Sequence, residues 1–299
     1  MTTNIIKTLY LISNRSWLLT SKVKLNWGTV SRTVSTMTEL EDIRINTQVF
    51  RELITRKEVA ALADVFKRHN FELRIAGGAV RDFLHPSGEV KPNDIDFATD
   101  ATPSQMKDMF TRENIRMINV EGGEKHGTIT ARILDNENFE VTTLRIDKVT
   151  DGRKAEVEFT TDWQVDAERR DLTINSMFLD LDGKLYDYFG GKKDLHGQRI
   201  AFVGSAARRI QEDYLRILRY FRFFGRIVVE EVETDLKRLN SSSPTLKGHE
   251  NETISAIKSN ADGLGQISGE RIWSEWKKIL SGRFGHQVIA KISFNLLYT

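Results

Sequence analysis

The fold of this chain is decided by Gly77-Gly78-Ala79-Val80-Arg81-Asp82 and, shortly after it, Asn93-Asp94-Ile95-Asp96-Phe97. Residues 71–76 alternate in hydrophobicity and lead directly into the first stretch, so they predict a strand. A helix is expected to begin near Ala79. A strand that ends in two glycines before a helix lets backbone N–H groups approach a phosphate closely. Arg81, one turn into that helix, can add a forked contact to the same phosphate.

The second stretch predicts two neighbouring carboxylates. Residues i and i+2 of a strand point to one face, so we expect Asp94 and Asp96 side by side, with Ile95 and Phe97 packed behind them. Two like charges this close repel each other unless a cation joins them. Mg²⁺ prefers such hard oxygen ligands and completes its shell with water and substrate phosphates. The pattern therefore predicts a site for metal-dependent nucleotidyl transfer.

A third carboxylate is predicted at Glu140, on an expected strand of the same sheet. Two-ion phosphoryl-transfer sites lower the pKa of an attacking hydroxyl and neutralise the leaving pyrophosphate. We therefore assign Glu140, together with Asp94 and Asp96, to catalysis and metal binding. The alternative is that Glu140 pairs across a hairpin with Arg132 or a lysine.

Composition limits the class of protein. The chain has 299 residues, of which 39% are hydrophobic and 29% charged, so it can bury a core in two domains or in one domain with an appendage. No apolar run is long enough to span a bilayer. The chain has no cysteine, which excludes disulfides and thiolate metal sites and fits a reducing compartment.

The first residues differ from the rest in charge. Residues 1–38 contain five Lys and Arg and no Asp or Glu, so the net charge of +2 leaves −3 for the remainder. Basic, Ser- and Thr-rich sequence with scattered apolar residues is typical of a mitochondrial targeting segment, which we assign to residues 1–36. A disordered tail is the alternative. Met37 precedes the first acidic residues, and a second start there would give a form without this segment.

The remainder reads as an α/β domain followed by helices. Apolar spacing predicts a helix over residues 49–69 and the strongest helix over residues 206–227. A hairpin is expected between strands 128–134 and 139–146, and shorter strands are expected at residues 117–119 and 184–189. The Ser-Ser-Ser-Pro stretch at residues 241–244 predicts a linker.

A second polar cluster is Arg169-Arg170-Asp171, with Asn175 one turn later. If Asp171 caps or enters a helix, Asn175 lies on the same face. The arginines are then suited to phosphates, and Asp171 and Asn175 to ribose hydroxyls. The alternative is a capping aspartate flanked by solvated arginines.

The helix predicted over residues 206–227 carries an apolar stripe with Arg209, Asp213 and Arg216 along one edge. Arg219 and Arg222 lie further round. A carboxylate accepts hydrogen bonds and a guanidinium donates them, so Asp213 and Arg216 together could pair with cytosine or adenine and reject uracil and guanine. The alternative is an ordinary ion pair between residues three apart.

These motifs occur together in an order that resembles the class II CCA-adding tRNA nucleotidyltransferases, animal mitochondrial and cytosolic type, over roughly residues 50–280. The ordered set is specific where each member alone is not. The motifs are Gly77-Gly78-Ala79-Val80-Arg81-Asp82, Asp94-Ile95-Asp96, Glu124-Lys125-His126-Gly127-Thr128, Arg169-Arg170-Asp171, Glu212-Asp213-Tyr214-Leu215-Arg216 and Ser268-Gly269-Glu270-Arg271.

The resemblance implies an α/β (α+β) nucleotidyltransferase head with a small mixed or antiparallel sheet, at residues 37–197. It implies an all-helical neck and partial body at residues 198–299. Mg²⁺ would lie on Asp94 and Asp96, and residues 145–158 would form a flexible loop for the switch to adenosine addition. Glu270-Arg271 would brace the neck, and His126 would stabilise the sheet or the loop rather than bind metal.

The resemblance also implies how a nucleotide is held. Its triphosphate would contact Gly78, Arg81 and Arg170, and its ribose would contact Asp171. Its base would be read by Asp213 and Arg216, with added charge from Arg219 and Arg222.

The expected activity is addition of CCA to the 3′ end of tRNA from CTP and ATP, with Mg²⁺ as cofactor, in the mitochondrial matrix and, from a start at Met37, in the cytosol or nucleus. A departure occurs at the C-terminus, where residues 285–299 differ from the expected continuation and indicate a truncated form. Two alternatives are a poly(A) polymerase-like enzyme and a truncated isoform that binds nucleotide or RNA with impaired catalysis.

Overall fold

The computed structural model describes residues 42–86, 90–92, 94–118, 120–148, 156–228, 250–282 and 284–297. The predictions for residues 1–36, for Met37, for the linker at residues 241–244 and for the tip of the loop, residues 149–155, lie outside these ranges. No helix in the described ranges is long and apolar enough to cross a membrane.

A seven-stranded sheet forms the centre of the first half of the chain. Its strand order is β3-β4-β5-β2-β1-β8-β9, and all neighbours pair antiparallel except β2 and β5, which are parallel. A separate hairpin of β6 and β7 follows β5. The strands are β1 Leu73–Ala76, β2 Asp96–Thr99, β3 Arg116–Ile118, β4 Thr128–Ile133, β5 Glu137–Thr143, β6 Arg145–Lys148, β7 Glu156–Phe159, β8 Phe178–Leu179 and β9 Leu185–Tyr186.

Helices lie between the strands and make up the second half of the described chain. They are α1 Gln48–Ile54, α2 Lys57–Arg68, α3 Gly78–Phe83, α4 Pro103–Arg112, α5 Val120–Glu124, α6 Trp163–Glu168, α7 Gly191–His196, α8 Ala206–Glu212, α9 Leu215–Ile227, α10 Asn251–Ser259, α11 Gly269–Leu280 and α12 Gly285–Leu297. Short 3₁₀ turns form at Thr173–Asn175 and Ala261–Gln266.

One face of the sheet is buried under α2 and α4. Residues of β4 and β5 alternate between buried and more exposed, which is the pattern of a sheet with one open face. Helix α4 begins at a capping box between Thr102 and Gln105 with Pro103 in the first turn. Phe66 of α2 and Phe110 of α4 meet edge to face beneath the sheet, with ring centroids 5.9 Å apart. Each fully buried side chain of this kind stabilises the fold by about 2 kcal/mol.

The second half has a helical core around α9, which packs on α11 and α12. Tyr220 and Phe221 are fully buried there, and Tyr220 stacks on Phe202 at 5.6 Å. The observed architecture is a mixed, mostly antiparallel sheet with helices followed by an all-helical part. This confirms the predicted fold class, while the domain boundaries at residues 37, 197 and 198 stay predictions.

Several predicted elements are shorter than expected. The helix expected over residues 49–69 is two helices, because Arg56 adopts an extended conformation between α1 and α2. The strand expected over residues 139–146 ends at Thr143, and Arg145 begins the separate hairpin. The strand expected over residues 184–189 is only Leu185–Tyr186.

The helix predicted over residues 206–227 is also two helices, α8 and α9. Asp213 is extended, with φ −157° and ψ 104°, so the helical hydrogen bonding stops there. Its carboxylate accepts a hydrogen bond from the backbone N–H of Leu215 at 3.2 Å, which is the local competition that makes aspartate a capping residue. The apolar stripe survives the break, since Ile210 and Ile217 are both fully buried.

Candidate active site

Three carboxylates form a short row at the open face of the sheet. Asp96 is the first residue of β2, and Glu140 is its partner in the parallel pairing with β5. Asp94 lies just before the strand, so the expectation that both aspartates sit within one strand was wrong for Asp94. All three are exposed.

Aromatic packing behind the row fixes its position. Phe97 and Phe139, the neighbours of Asp96 and Glu140, are buried on the opposite face, and their rings meet edge to face at 5.5 Å. This contact holds β2 and β5 in register. Ile95 is partly buried against the same core, so the apolar residues of the motif pack as predicted.

The electrostatics of the row favour a cation. Desolvation by the cleft walls raises the pKa of Asp96, and the charges of Glu140 and then Asp94 raise it further, while Arg170 opposes the shift. Among the described residues, no Lys or Arg pairs with Glu140. Arg132, the partner considered for it, instead donates to the Asn138 side chain and the Asp135 carbonyl, both at 2.9 Å. The ion pair between Glu140 and Arg132, considered as the alternative to a catalytic role, is therefore not formed.

The row does not form a complete metal site by itself. Within the described ranges, no group of three or more His, Cys, Asp or Glu side chains is arranged to hold a metal ion. The metal site predicted on all three of Asp94, Asp96 and Glu140 is therefore not present as a preformed group of ligands, and Mg²⁺ would need water and substrate phosphates beside one or two of these carboxylates. A cation would fit here, because desolvation and the charges of Glu140 and Asp94 disfavour the charged form of Asp96 and raise its pKa.

A glycine turn lies beside the row. Gly77 follows β1 with φ +62°, and a Cβ there would lie 3.1 Å from Nη1 of Arg170. Any other residue at position 77 would be strained and would crowd that guanidinium. Helix α3 starts at Gly78, and Arg81 in it is buried, with Nη1 donating to Oδ1 of Asn175 at 2.7 Å. Burial lowers the pKa of Arg81.

Asp166 holds the two arginines that the sequence singled out. Its carboxylate is almost fully buried, and it accepts from Arg169 at 2.8 Å and from Arg170 at 3.1 Å. It also accepts the backbone N–H of Arg145 at 3.1 Å. Burial acts to raise the pKa of Asp166, but Arg170 and Arg169 outweigh it and the pKa is lowered. The arginines are therefore not simply solvated, contrary to that alternative.

Asp171 links the head to α9. Its Oδ2 accepts from Nε of Arg219 at 2.6 Å, and its Oδ1 accepts the backbone N–H of Leu172 at 2.9 Å and the Asn175 amide at 3.4 Å. Burial acts to raise the pKa of Asp171, but Arg219 lowers it overall. Asn175 ends a 3₁₀ turn rather than an α-helix, yet it lies beside Asp171 as predicted.

The predicted base readers have different partners from those expected. Asp213 accepts from Arg271 of α11 at 2.7 Å, and Arg216 donates to Glu212 at 2.7 Å. The ordinary ion pair between Asp213 and Arg216 is therefore not what the structure contains. Arg216 also donates to the carbonyls of Arg209 and Arg169, at 3.0 and 3.1 Å. Arg209, predicted along one edge of the apolar stripe, is buried.

Glu275 of α11 neutralises part of the positive charge of Arg219, Arg222 and Lys278. It is buried and accepts from Arg222 at 2.6 Å and from Lys278 at 3.2 Å, with Arg219 at 3.9 Å. Glu275 and Arg271, both on α11, thus contact Arg222 and Asp213, the last and first of the residues predicted to surround the base. The predicted bracing role of Arg271 is consistent with this contact.

Many of the side chains described above line one cleft of about 750 Å³. Ten basic and six acidic residues line it, so it carries an excess of positive charge suited to a polyphosphate. All twelve predicted site residues lie on its walls: Gly78, Arg81, Asp94, Asp96, Glu140, Arg170, Asp171, Asn175, Asp213, Arg216, Arg219 and Arg222. Their individual roles stay predictions.

Sequence reasoning missed several contributors. Asp166 precedes Arg169 and Arg170 by three and four residues, and this helical spacing was a signal that could have indicated the ion pairs. Arg226 of α9 reaches Asp82 of α3 at 3.2 Å across the two parts of the chain. Local spacing carries no signal for that contact or for the pairing of Glu275 with Arg222.

The loop after β5 is held at its base. The Arg145 guanidinium donates to the backbone carbonyl of His126, so His126 contributes through its main chain rather than its ring. A Cβ at Gly127, where φ is +82°, would lie 2.8 Å from the Phe159 ring of β7. Arg145 and Asp147 of this hairpin line the cleft.

Comparison with known proteins agrees with this geometry. Residues 73–201 match the family model described as the Poly A polymerase head domain, and residues 250–293 match the probable RNA and SrmB-binding site of polymerase A. The chain is 57% identical over 267 residues to CCA tRNA nucleotidyltransferase 1, mitochondrial, of Danio rerio, covering 89% of this chain and 55% of that protein. It is 60% identical over 240 residues to the protein of the same name from Mus musculus, covering 80% and 50%.

The fold is shared with a solved structure. The Bacillus stearothermophilus CCA-adding enzyme in complex with CTP superposes with a TM-score of 0.65 and 29% identity, covering 84% of this chain and 53% of that one. The chain thus spans about half the length of the curated relatives it matches. The similarity includes both the sheet and the helices that follow it: residues 73–201 match the Poly A polymerase head domain, and the chain is similar to CCA-adding nucleotidyltransferases over about half of their length.

Proposed function

We propose that this chain adds CMP, CMP and AMP to the 3′ end of tRNA, using CTP and ATP. The observation that carries the proposal is the row of carboxylates Asp94, Asp96 and Glu140, which form no ion pair with the described residues, at the edge of a cleft lined by an excess of arginine. One half of this arrangement suits a divalent cation, and the other suits a nucleoside triphosphate. The Bacillus stearothermophilus relative, whose structure contains CTP, supports the choice of nucleotide.

Mg²⁺ is the proposed cofactor, held by Asp94 and Asp96 with Glu140 beside them. When bound, the ion supplies charge neutralisation and lowers the pKa of an attacking hydroxyl. The Gly77-Gly78 turn and the guanidinium of Arg170 are the proposed contacts of the triphosphate. Asp166 fixes Arg170 before substrate arrives, which removes the cost of ordering that side chain.

The chemistry is a single displacement. The 3′-oxygen of the acceptor forms a bond to the α-phosphorus, the bond from that phosphorus to the bridging oxygen breaks, and pyrophosphate leaves. The proton of the hydroxyl passes to a carboxylate of the row. No covalent intermediate with the protein is needed.

Base selection is proposed for Asp213 and Arg216, which keep unused hydrogen-bonding capacity. Asp213 accepts from Arg271 and Leu215, while a carboxylate has about four acceptor sites. Arg216 uses three of its N–H groups on Arg209, Glu212 and Arg169, while a guanidinium has about five. The remaining acceptor and donors can face an amino group and a ring nitrogen of the base.

A mitochondrial location is proposed from the basic, acid-free composition of residues 1–38. The names of the Danio rerio and Mus musculus relatives agree with it. A form that starts at Met37 would remain outside mitochondria. Expression of both forms as fluorescent fusions in cells distinguishes the two.

The test of function uses the full chain with Mg²⁺, labelled CTP, ATP and a tRNA that lacks its last three nucleotides. We expect products that stop after three added residues. Long adenosine tracts would instead indicate a poly(A) polymerase, and bound CTP without any addition would indicate a chain that binds nucleotide but does not catalyse transfer.

Matched variants connect the activity to the carboxylate row. Asp94→Asn and Asp96→Asn should each reduce transfer by at least about 10³-fold, since metal-assisted charge stabilisation contributes several kcal/mol to phosphoryl transfer. Asp108→Asn, an exposed aspartate of α4, is the control and should leave transfer unchanged. Full activity in the Asp96 variant would place the metal site elsewhere.

A further inference from the structure

The guanidinium of Arg170 lies over an aromatic ring that the sequence motifs did not indicate. Its central carbon is 4.7 Å from the centroid of the Phe178 ring. Phe178 belongs to β8 and is fully buried, whereas Arg170 lines the cleft. A cation over the face of an aromatic ring is attracted by the quadrupole of the ring. The ring of Phe178 therefore supports the guanidinium from the protein interior.

The sheet places Phe178 beside the glycine turn. Phe178 pairs with Ala76 of β1 and with Tyr186 of β9, so the three residues form one row across the sheet. Gly77 follows Ala76, and its backbone N–H donates to the carbonyl of Met177 at 3.3 Å. The strands that position the Gly77 turn therefore also fix the ring of Phe178.

A second aromatic residue packs against Phe178. Trp163, the first residue of α6, meets it edge to face, with the ring centroids 4.9 Å apart. The guanidinium of Arg74 lies 3.9 Å from the centroid of the Trp163 ring and 3.6 Å from that of Tyr186. Arg74 and Trp163 are both buried. Phe178 is thus held by packing and cannot move away from the cleft without disturbing these contacts.

The hydrogen bonds of Arg170 leave part of its donors for a ligand. Its Nε and Nη2 donate to Asp166 at 3.2 and 3.1 Å, and its Nη1 donates to the carbonyl of Asn175 at 3.3 Å. A guanidinium has about five N–H groups, so donors remain for a phosphate. The neutral ring attracts the guanidinium without cancelling its charge. A second carboxylate in its place, like the Glu275 that faces Arg222, would reduce that charge.

We infer that Phe178 is a positioning residue for the triphosphate, because its ring holds the Arg170 guanidinium in the orientation from which the remaining N–H groups reach the phosphates. This inference rests on the proposed contact of Arg170 with the triphosphate, which it deepens. Preorganising a side chain lowers the cost of binding, so weakening the attraction of the ring should weaken nucleotide binding without slowing the displacement itself. Base selection, proposed for Asp213 and Arg216, should not change.

The first test changes the electrostatics of the ring and keeps its shape. Phenylalanine analogues that carry successively more ring fluorines replace Phe178 in the full chain, because fluorine withdraws negative charge from the ring face. We expect the Kd for CTP, measured by titration calorimetry, to rise along the series by about 5-fold in total. In transfer assays with a tRNA lacking its last three nucleotides, the KM for CTP should rise similarly at unchanged kcat. The preference for CTP over UTP should stay the same, and a fall in it would contradict a role confined to the triphosphate.

The matched control is the same series of analogues at Phe110. This ring is equally buried but packs edge to face on Phe66 beneath the sheet, so its fluorination should leave the Kd for CTP unchanged. A flat Kd in the Phe178 series, or an equal rise in both series, would overturn the inference.

The second test separates the phosphates from the rest of the nucleotide. Inorganic pyrophosphate has no base or ribose, so its inhibition constant against CTP should rise in the Phe178 series by about the same factor as the Kd for CTP. An unchanged inhibition constant would overturn the inference. The unmodified chain is assayed alongside: if it transfers CMP while the Phe178 series is flat, the inference alone fails, whereas no binding of CTP to the unmodified chain would overturn the proposed function as well.

Discussion

Two groups of carboxylates at the cleft have opposite electrostatic surroundings. Asp94, Asp96 and Glu140 are exposed and face one another, and the pKa of Asp96 is raised. Asp166 and Asp171 are buried and face arginines, and the pKa of each is lowered. Burial alone acts to raise the pKa in every case, so the neighbouring charges decide the direction.

The exposed carboxylates are available for reaction, whereas the buried ones stabilise the fold. The exposed row is held together by aromatic packing behind it, since its own charges repel. The buried aspartates stabilise the fold in their charged form, and they also hold Arg170 and Arg219 at the cleft. Removing charge from one group should therefore have the opposite effect on stability from removing it from the other.

The largest effect is expected for Asp166→Asn. Removing one partner of a buried ion pair costs about 3 kcal/mol, because Arg169 and Arg170 lose their carboxylate. Since the pKa of Asp166 is lowered on folding, its stabilisation is present above the unfolded pKa, about 4, and is lost as the pH falls through the folded value. Urea unfolding at pH 7 measures the loss.

The control for this variant is Glu168→Gln, an exposed residue of the same helix, which should change stability little. The gap between Asp166→Asn and the unmodified protein should narrow as the pH falls below about 4, because the unmodified protein then loses its own ion pair. An equal loss of stability in Asp166→Asn and Glu168→Gln at pH 7 would contradict the distinction between the buried aspartates and the exposed carboxylates.

A smaller effect of opposite sign is expected for Asp96→Asn. The raised pKa of Asp96 means that its charge destabilises the fold. This cost is absent below the unfolded pKa, about 4, and grows until the pH passes the folded value. At pH 7 without metal, the variant should have a Tm about 2 °C higher, because it loses the desolvation cost of this carboxylate and its repulsion by Glu140 and Asp94.

Adding Mg²⁺ gives a second test of the effect of Asp96 on stability. Added Mg²⁺ should raise the Tm of the unmodified protein, because an ion that binds only the folded state stabilises it, and it should raise the Tm of Asp96→Asn much less. Scanning fluorimetry with and without Mg²⁺ measures both. A lower Tm for Asp96→Asn at neutral pH would show that the row is neutralised by a group of the protein.

The sequence predicted structure that depends on residues close together in the chain, but not contacts between residues far apart in it. The strand before Gly77, the hairpin of β4 and β5, and the apolar residues behind the row follow from local periodicity. The break at Asp213 was missed because the apolar spacing continues across it. The partners of Arg222 and Asp213 were inaccessible, because Glu275 and Arg271 lie more than fifty residues away and only tertiary packing brings them to the cleft. The structure thus places the predicted residues around one cleft, while the sequence did not indicate most of their partners.

The smallest effect on stability is expected where the arginine partner is exposed. The Arg271 side chain is 51% exposed and that of Asp213 is 28% exposed, so their ion pair contributes about 0.5 kcal/mol or less. Arg271→Met should therefore leave the Tm nearly unchanged. Its effect should appear in base selection instead, because Asp213 loses the contact that orients its carboxylate, and the preference for CTP over UTP should fall by about 5-fold. Lys277→Met, on another face of α11, should keep the full preference. Transfer measured with each nucleotide separates the two outcomes: a lower preference at unchanged Tm assigns Arg271 to orienting the base reader, whereas a lower Tm with intact preference would make it a stabilising residue like Asp166.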